Sequence, residues 1–259
     1  MLKVLGVLSV LAVLASAAQP SFIDWRATGY NSTIIDQGTC NAGWAAAAVT
    51  LYQFEILASA GSSNQQDLST SYVVDCSGYG GCRNGTLSGA IDFLIANGSY
   101  NIGGYSNNNL YSGLSNSSNC TTSSGAIYKT NRTVYKNTYY KVSNLKLRQL
   151  LVTAPTANEI LVDNTFYSYV GTNTFNCSYY VYSDGDLNSA VVVVGYTKTN
   201  NWIVRFYRGL TWGNNGYMIL KSGRDCGLRR VVYQINTVKE EWRTIFMSVM
   251  LLLALAMGM

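Results

Sequence analysis

Six cysteines constrain the fold of this 259-residue chain more than any other feature of its sequence. They lie at Cys40, Cys76, Cys82, Cys120, Cys177 and Cys226. An even number of cysteines is typical of a disulfide framework in an exported protein, which matures in an oxidising compartment. Six cysteines allow fifteen disulfide connectivities, and their spacing alone does not choose between them. The cysteine count therefore predicts a cross-linked globular chain and leaves the pairing open.

The N-terminus has the pattern of a secretory signal peptide. Lys3 precedes an apolar stretch from Val4 to Leu14, and small residues follow at 15–17. A basic start, an apolar centre and a small-residue cleavage site are the three parts of such a peptide. We therefore predict a signal peptide at residues 1–17, with a buried first helix as the alternative.

Seven Asn-x-Ser/Thr sequons agree with export. They are at Asn31, Asn84, Asn97, Asn116, Asn119, Asn131 and Asn176. Glycosylated asparagines of secreted proteins lie in surface loops. Because the chain is rich in asparagine and serine, some of these sequons are expected by chance, and their number supports export without deciding it.

The chain ends in an uncharged apolar run at residues 245–259, preceded by Trp242 and Arg243. As a helix, these fifteen residues rise only about 22 Å, which is short of the roughly 30 Å hydrocarbon core of a bilayer. We predict a short membrane-embedded anchor with Trp242 and Arg243 at the interface, or the attachment signal of a lipid anchor. A buried C-terminal helix is the remaining alternative. Either anchor places the domain in the secretory pathway, at the cell surface or on a lumenal membrane face.

The two halves of the chain favour different secondary structures. Residues 44–60 are rich in alanine and large apolar side chains, contain no Gly or Pro, and are followed by Gly61, which indicates a buried helix. Residues 190–196 and 201–207 are rich in β-branched and aromatic side chains, which favours strands. The stretch 99–133 is dense in Asn, Ser, Gly and Tyr, and predicts long solvated loops.

Three motifs together resemble those of a known family. Residues 37–45 read Gln-Gly-Thr-Cys-Asn-Ala-Gly-Trp-Ala, residues 68–76 read Leu-Ser-Thr-Ser-Tyr-Val-Val-Asp-Cys, and residues 188–196 read Asn-Ser-Ala-Val-Val-Val-Val-Gly-Tyr. They are similar to the active-site, Val-Asp-Cys and histidine-strand motifs of papain-like cysteine peptidases. The resemblance runs from Asp24 to Leu228. It implies an α+β, two-lobed fold, with a helical lobe and a β-barrel lobe that face each other across a cleft.

The resemblance also implies domain limits and a disulfide pairing. The papain-like domain is predicted at residues 19–236, with the helical lobe at about 19–130 and the β-barrel lobe at about 131–236. The implied disulfides join Cys40 to Cys82, Cys76 to Cys120, and Cys177 to Cys226. Active members of the family carry a long propeptide, whereas only a few residues separate the predicted signal peptide from this domain. That difference favours an inactive member.

The positions of the catalytic cysteine, histidine and asparagine implied by the resemblance are all changed. Gly43 stands where the family has its nucleophilic cysteine, Ser189 where it has histidine, and Phe206 where it has the orienting asparagine. The chain contains no histidine, so no imidazole base exists anywhere in it. Glycine cannot form an acyl-enzyme, and Cys40 is not a substitute because all six cysteines fall in disulfide contexts of the family. Gln37, whose amide would line the oxyanion hole, is retained.

The cleft wall implied by the resemblance is altered as well. Residues 82–85 read Cys-Arg-Asn-Gly where the family has Cys-x-Gly-Gly. Gly85 is retained, but Asn84 begins a sequon, and a glycan there would obstruct peptide binding. Arg208 replaces a tryptophan of the family, whereas Trp212 keeps one.

These observations predict a pseudopeptidase, a family member without peptidase activity that acts by binding. The predicted partner is a protein or peptide ligand, with a protease inhibitor as one candidate, and the C-terminal segment contacts a membrane. The net charge of +5 comes from scattered basic residues, so no nucleic-acid partner is expected. No metal site and no cofactor are predicted. The alternatives are a decoy for protease inhibitors and a hydrolase with reassigned chemistry at Ser189 or Thr39, for which the sequence shows no neighbouring base.

Overall fold

The computed structural model describes most of the chain between residues 19 and 237. The described ranges are 19–29, 32–60, 67–83, 85–105, 120–121, 123 and 125–237. The predicted signal peptide (1–17) and C-terminal anchor (245–259) lie outside them. The sequons that also lie outside are Asn31, Asn84, Asn116 and Asn119. Within the described ranges, no helix combines the length and apolar character needed to cross a bilayer.

A buried helix, α1, runs from Gly43 to Ala60 and confirms the helix predicted at 44–60, with one more residue at its start. The alanines at positions 45–48 are at most 1% exposed. Apolar side chains surround most of the helix, which is the pattern of a core helix rather than a surface one. Small side chains on such a helix allow neighbouring elements to pack close to its backbone.

Two shorter helices, α2 (Thr70–Cys76) and α3 (Leu87–Asn97), pack against α1. Ser69 caps α2, because its hydroxyl oxygen accepts a hydrogen bond from the Tyr72 N–H at 3.1 Å. The helical half of the molecule is therefore built around α1.

Three disulfides cross-link the fold in the pairing that the family resemblance implied. They join Cys40 to Cys82, Cys76 to Cys120, and Cys177 to Cys226. The first ties the segment before α1 to the segment before α3, and the second ties down the end of α2. No cysteine is free, so Cys40 has no thiol to offer as a nucleophile.

Ten described strands form an eight-stranded, mainly antiparallel sheet and a separate two-stranded ribbon. The strands are β1 (Ile23–Asp24), β2 (Ser99–Tyr100), β3 (Ile127–Tyr128), β4 (Tyr135–Tyr140), β5 (Thr156–Ile160), β6 (Thr174–Phe175), β7 (Ser189–Tyr196), β8 (Trp202–Arg205), β9 (Tyr217–Leu220) and β10 (Val231–Asn236). The sheet order is β4-β10-β5-β7-β8-β9-β6, and β1 also pairs with β7. Helix α4 (Asn144–Thr153) packs against β7, and the single-turn helix α5 (Asn164–Tyr167) follows β5.

Strand β7 confirms the strand predicted at 190–196 and lies at the centre of the fold. All its residues after Ser189 are buried. It pairs with β5, β8 and β1, while α1 and α4 pack against it. The contact between α1 and β7 joins the helical half to the sheet.

The strand predicted at 201–207 is wrong at both ends, because β8 comprises only Trp202–Arg205. Beyond β8, the Tyr207 carbonyl accepts a hydrogen bond from the Gln37 N–H at 3.0 Å. The Phe206 N–H still donates to the Gly216 carbonyl at 3.1 Å, and from Tyr207 onward the chain contacts the segment that precedes α1. This long-range contact fixes Gln37 beside the start of the helix.

The long loops predicted at 99–133 are interrupted by the ribbon of β2 and β3. These strands pair antiparallel, with Ser99 opposite Tyr128. Residues 106–119 lie outside the described ranges. The loop prediction is therefore wrong at Ser99–Tyr100 and Ile127–Tyr128, which form strands.

We expect Gly195→Ala to destabilise the fold more than Gly171→Ala. Both glycines have positive φ angles, of 156° and 126°, so alanine costs backbone energy of about 1–3 kcal/mol at either position. A Cβ on Gly195 would also lie 2.0 Å from the Ile23 carbonyl oxygen, whereas one on Gly171 would meet nothing within 4 Å. Urea unfolding of the two variants measures the difference.

The β1-β7 pair must separate in the Gly195 variant, so its additional loss should be about 2 kcal/mol or more. Equal losses at the two positions would contradict the described pairing of β1 with β7.

Candidate functional site

A cleft with a volume of roughly 310 Å³ opens where the start of α1 faces the sheet. Gln37, Gly43, Trp44 and Gly85 line its helical side. Glu159, Tyr167, Leu187, Ser189 and Ala190 line the opposite side. The cleft therefore contains residues from both halves of the chain.

Three of the predicted site positions meet in this cleft. A Cβ on Gly43 would lie 3.0 Å from Gln37 Oε1 and 3.5 Å from Ser189 Oγ. Ser189 is held at the start of β7 because the neighbouring Asn188 amide exchanges two hydrogen bonds, of 2.8 and 2.9 Å, with the backbone of Val162. Gly43 is the first residue of α1, where the helix dipole favours a negative charge. The glycine places no ionisable group at that point.

The Gln37 side chain is buried at the edge of the cleft, with 5% of its surface exposed. Its Oε1 atom has no hydrogen-bond partner among the described residues. A buried amide without a partner is costly, and a ligand group that enters the cleft can satisfy it. Gln37 is thus a polar contact point that remains available in the cleft.

Phe206 does not line the cleft but lies fully buried in an aromatic cluster. Its ring centroid is 5.1 Å from that of Trp212, 5.2 Å from Phe166 and 5.8 Å from Tyr167. Aromatic rings at these separations stabilise a core through burial and edge-to-face contacts. Phe206 therefore acts in packing and offers no polar atom to orient a base.

Arg208 and Trp212, which were predicted on the cleft wall, line a neighbouring pocket of roughly 440 Å³. Arg208 Nη1 donates a hydrogen bond to the Gly38 carbonyl at 3.2 Å, and its guanidinium lies 5.3 Å from the Tyr167 ring centroid. Trp212 Nε1 donates to the Phe166 carbonyl at 2.9 Å. Tyr167 lines both pockets, whereas Arg208 lines only the neighbouring one.

Gly85 packs directly beneath the Trp44 indole. A Cβ on Gly85 would lie 2.2 Å from Trp44 Cε2, which no side chain can tolerate without moving the ring. The glycine therefore sets the position of one cleft wall. The adjacent Asn84 lies outside the described residues.

Glu159 is a cleft residue that the sequence analysis did not identify. It lies on β5 directly opposite Ala190 of β7. Burial raises the pKa of its carboxyl, the hydrogen bond from Tyr233 lowers it, and the negative charge of Asp184 raises it further. An acidic residue inside the short buried strand Thr156–Ile160 was the available clue, but β5 itself was not predicted.

Three of the predicted glycosylation sites lie in the described part of the chain. Asn97, Asn131 and Asn176 are all exposed, so a glycan at any of them would not require the fold to open. Among the described residues, no group of three or more His, Cys, Asp or Glu side chains could hold a metal ion.

The chain belongs to the papain family of cysteine proteases, whose family model, described as "Papain family cysteine protease", matches residues 19–235. It is 29% identical to macrodontain-1 from Ananas macrodontes, over 82% of this chain and 95% of that protein. It is also 29% identical to cathepsin J from Rattus norvegicus, over 82% of this chain and 64% of that protein. Its match to the senescence-specific cysteine protease SAG39 of Oryza sativa subsp. indica covers 58% of that relative. The chain thus spans most of macrodontain-1 but less than two thirds of the other two.

A solved structure of the Carica candamarcensis cysteine protease CMS1MS2, in complex with E-64, has a similar fold. The TM-score is 0.70 at 21% identity, over 84% of this chain and 98% of that chain. The predicted papain-like fold of helices plus sheet, with three disulfides, is therefore confirmed.

We expect Gly85→Ala to destabilise the protein by about 1–3 kcal/mol, which is typical of overpacking. The added methyl must displace the Trp44 ring, since the contact is with several ring atoms. Gly103→Ala is the matched control, because a Cβ there would meet nothing within 4 Å. Thermal unfolding of the two variants tests the contact, and an unchanged Gly85→Ala midpoint would show that the indole lies elsewhere.

Proposed function

We propose that this chain is a catalytically inactive member of the papain family that acts by binding a protein or peptide ligand in its cleft. The observation that carries the proposal is Gly43, which stands at the start of α1 and faces Ser189 and Gln37 without a side chain. Acyl transfer needs a nucleophile at this point, and glycine has none. The sequence also contains no histidine that could act as a general base.

The retained architecture supports a binding role. The cleft contains the buried Oε1 atom of Gln37, which has no partner among the described residues, and Gly85 keeps the Trp44 wall in place. The Cys40–Cys82 disulfide braces the segment that leads into α1, and the packing of α1 against β7 holds the two sides of the cleft together. Pre-organised walls reduce the entropy that binding costs.

We place the protein in the secretory pathway, on the cell surface or a lumenal membrane face. The fully oxidised cysteines and the exposed sequons at Asn97, Asn131 and Asn176 support an oxidising compartment. The apolar C-terminal segment at 245–259 supports membrane attachment.

A hydrolase with reassigned chemistry is the second candidate, favoured by the position of Ser189 Oγ beside the helix start. In the described part of the chain, however, this hydroxyl makes no hydrogen bond to a carboxylate or amine that could activate it. Ester or amide turnover that disappears in Ser189→Ala would support this candidate over the inactive one.

A decoy for protease inhibitors is a form of the binding proposal rather than a rival chemistry. It is supported by the fold that the chain shares with a protease solved in complex with the inhibitor E-64. Tight binding of a cystatin-like inhibitor would support it, and a glycan on Asn84 would count against it.

We expect no covalent adduct when the protein is incubated with an epoxide or vinyl-sulfone probe and its intact mass is measured. These probes alkylate thiolates, and the six cysteines are oxidised. The matched control is the double variant Gly43→Cys, Ser189→His. A Cβ at 43 would lie 3.5 Å from Ser189 Oγ, so this variant brings a thiol and an imidazole together, and it should be labelled.

Covalent labelling of the unmodified protein would contradict the proposal. Failure of the double variant to react faster than Gly43→Cys alone would show that positions 43 and 189 are not aligned as described.

A further inference from the structure

We infer that Glu159 makes the cleft selective for a ligand that carries a cationic side chain, such as an arginine or lysine side chain of a peptide. The inference rests on the proposed binding function and specifies its ligand. It assigns a recognition role to a residue of β5 that lies on the cleft wall opposite Trp44 and Gly85.

The carboxylate of Glu159 is positioned with one oxygen free. Tyr233 on β10 donates a hydrogen bond from its hydroxyl to Glu159 Oε1 at 3.0 Å. No residue in the described part of the chain donates to Oε2. A half-buried carboxylate that is oriented by one neighbour and open on the other side is suited to accept a charged donor.

No described residue of the cleft supplies a cation to this carboxylate. Among the described residues that line the cleft, Glu159 alone carries a charge. The basic group of Lys136, on β4, is already engaged, since it donates to Ser88 Oγ at 2.6 Å and pairs with Asp92. Asp184 adds negative potential at Glu159, although Arg230 Nε pairs with Asp184 Oδ1 at 2.6 Å.

The internal residues outside the described ranges include no lysine or arginine that could fill the position. The described chain ends at Thr237, which lines a different pocket, together with Trp25 and Glu55. An uncompensated carboxylate in a partly desolvated cleft is unfavourable, and a cationic ligand removes that cost.

The remaining walls suit the stem of a basic side chain. Leu187 and Ala190 line the same side of the cleft as Glu159, and Trp44 faces them from the helical side. Arginine and lysine bury their methylene stems against apolar surface while the charged end reaches a polar partner. The cleft thus offers both parts of the recognition, an apolar channel and an anionic end.

Binding of the cation should weaken as the pH falls. The carboxyl must be ionised to bind a cation, and burial raises the pKa of Glu159, with the Tyr233 hydrogen bond opposing and Asp184 reinforcing the shift. The affinity for a cationic ligand is therefore present above this raised pKa and is lost as the pH falls through it. The loss should occur at a higher pH than it would for an exposed glutamate.

The test is an equilibrium titration of the full chain at pH 7.5 with two blocked dipeptides, N-acetyl-Phe-Arg-amide and N-acetyl-Phe-citrulline-amide. Citrulline has nearly the shape of arginine but no charge. We expect the arginine peptide to bind about tenfold more tightly, as for one charge-assisted hydrogen bond. Glu159→Gln should remove most of that advantage.

Two control variants isolate the charge of Glu159. Glu55→Gln alters a partly buried glutamate in the other pocket and should leave the preference unchanged. Tyr233→Phe removes the hydrogen-bond donor but keeps the carboxylate, so the arginine preference should persist. Glu159→Gln retains an oxygen that can accept from Tyr233, and its unfolding temperature should match that of the unmodified protein.

Each outcome has a distinct meaning. Equal affinity for the two peptides would overturn the role of Glu159 and leave cleft binding standing. Absence of binding by either peptide at millimolar concentration would overturn the inference, while probe labelling still decides the inactivity separately. Cleavage of the peptides would overturn the proposed function whichever peptide is preferred.

Discussion

The packing of α1 against β7 is the contact on which the rest of the structure depends. The alanines at 45–48 are nearly inaccessible, and the valines at 191–194 are at most 1% exposed. Small side chains on the helix and β-branched ones on the strand let the two backbones approach closely. Because both elements begin on the same side of the molecule, Gly43 and Ser189 meet there. The cleft is the open end of this junction.

The residues that form the junction are different from those that would perform chemistry in it. The packing of α1 against β7 does not require a side chain at position 43, which is the first residue of the helix. Ser189 lies at the less buried end of its strand. Phe206 packs against Phe166 and Trp212 and contributes no polar group to the cleft. The fold therefore does not require catalytic groups at these positions, which is the physical basis of the proposed inactivity.

Short-range patterns predicted the parts of the structure that depend on neighbouring residues. The alanine-rich run located α1, and the valine run located β7. The three disulfides join residues 42, 44 and 49 positions apart, and only the family resemblance implied their pairing. The C-terminal end of β8 was mispredicted because the backbone of Tyr207 hydrogen-bonds to Gln37, which is far away in sequence. Glu159 was missed for a similar reason, since its place in the cleft follows from the register of β5 against β7.

Recovery of an unchanged peptide from its complex tests the central claim most directly. The full chain would be held for many hours with a cleft-binding peptide containing arginine, and the bound fraction would then be released and analysed by mass spectrometry. The account predicts saturable binding, lost when competing peptide is added, with every bound molecule recovered intact. Cleaved peptide, or an acyl group retained on the protein, would contradict it.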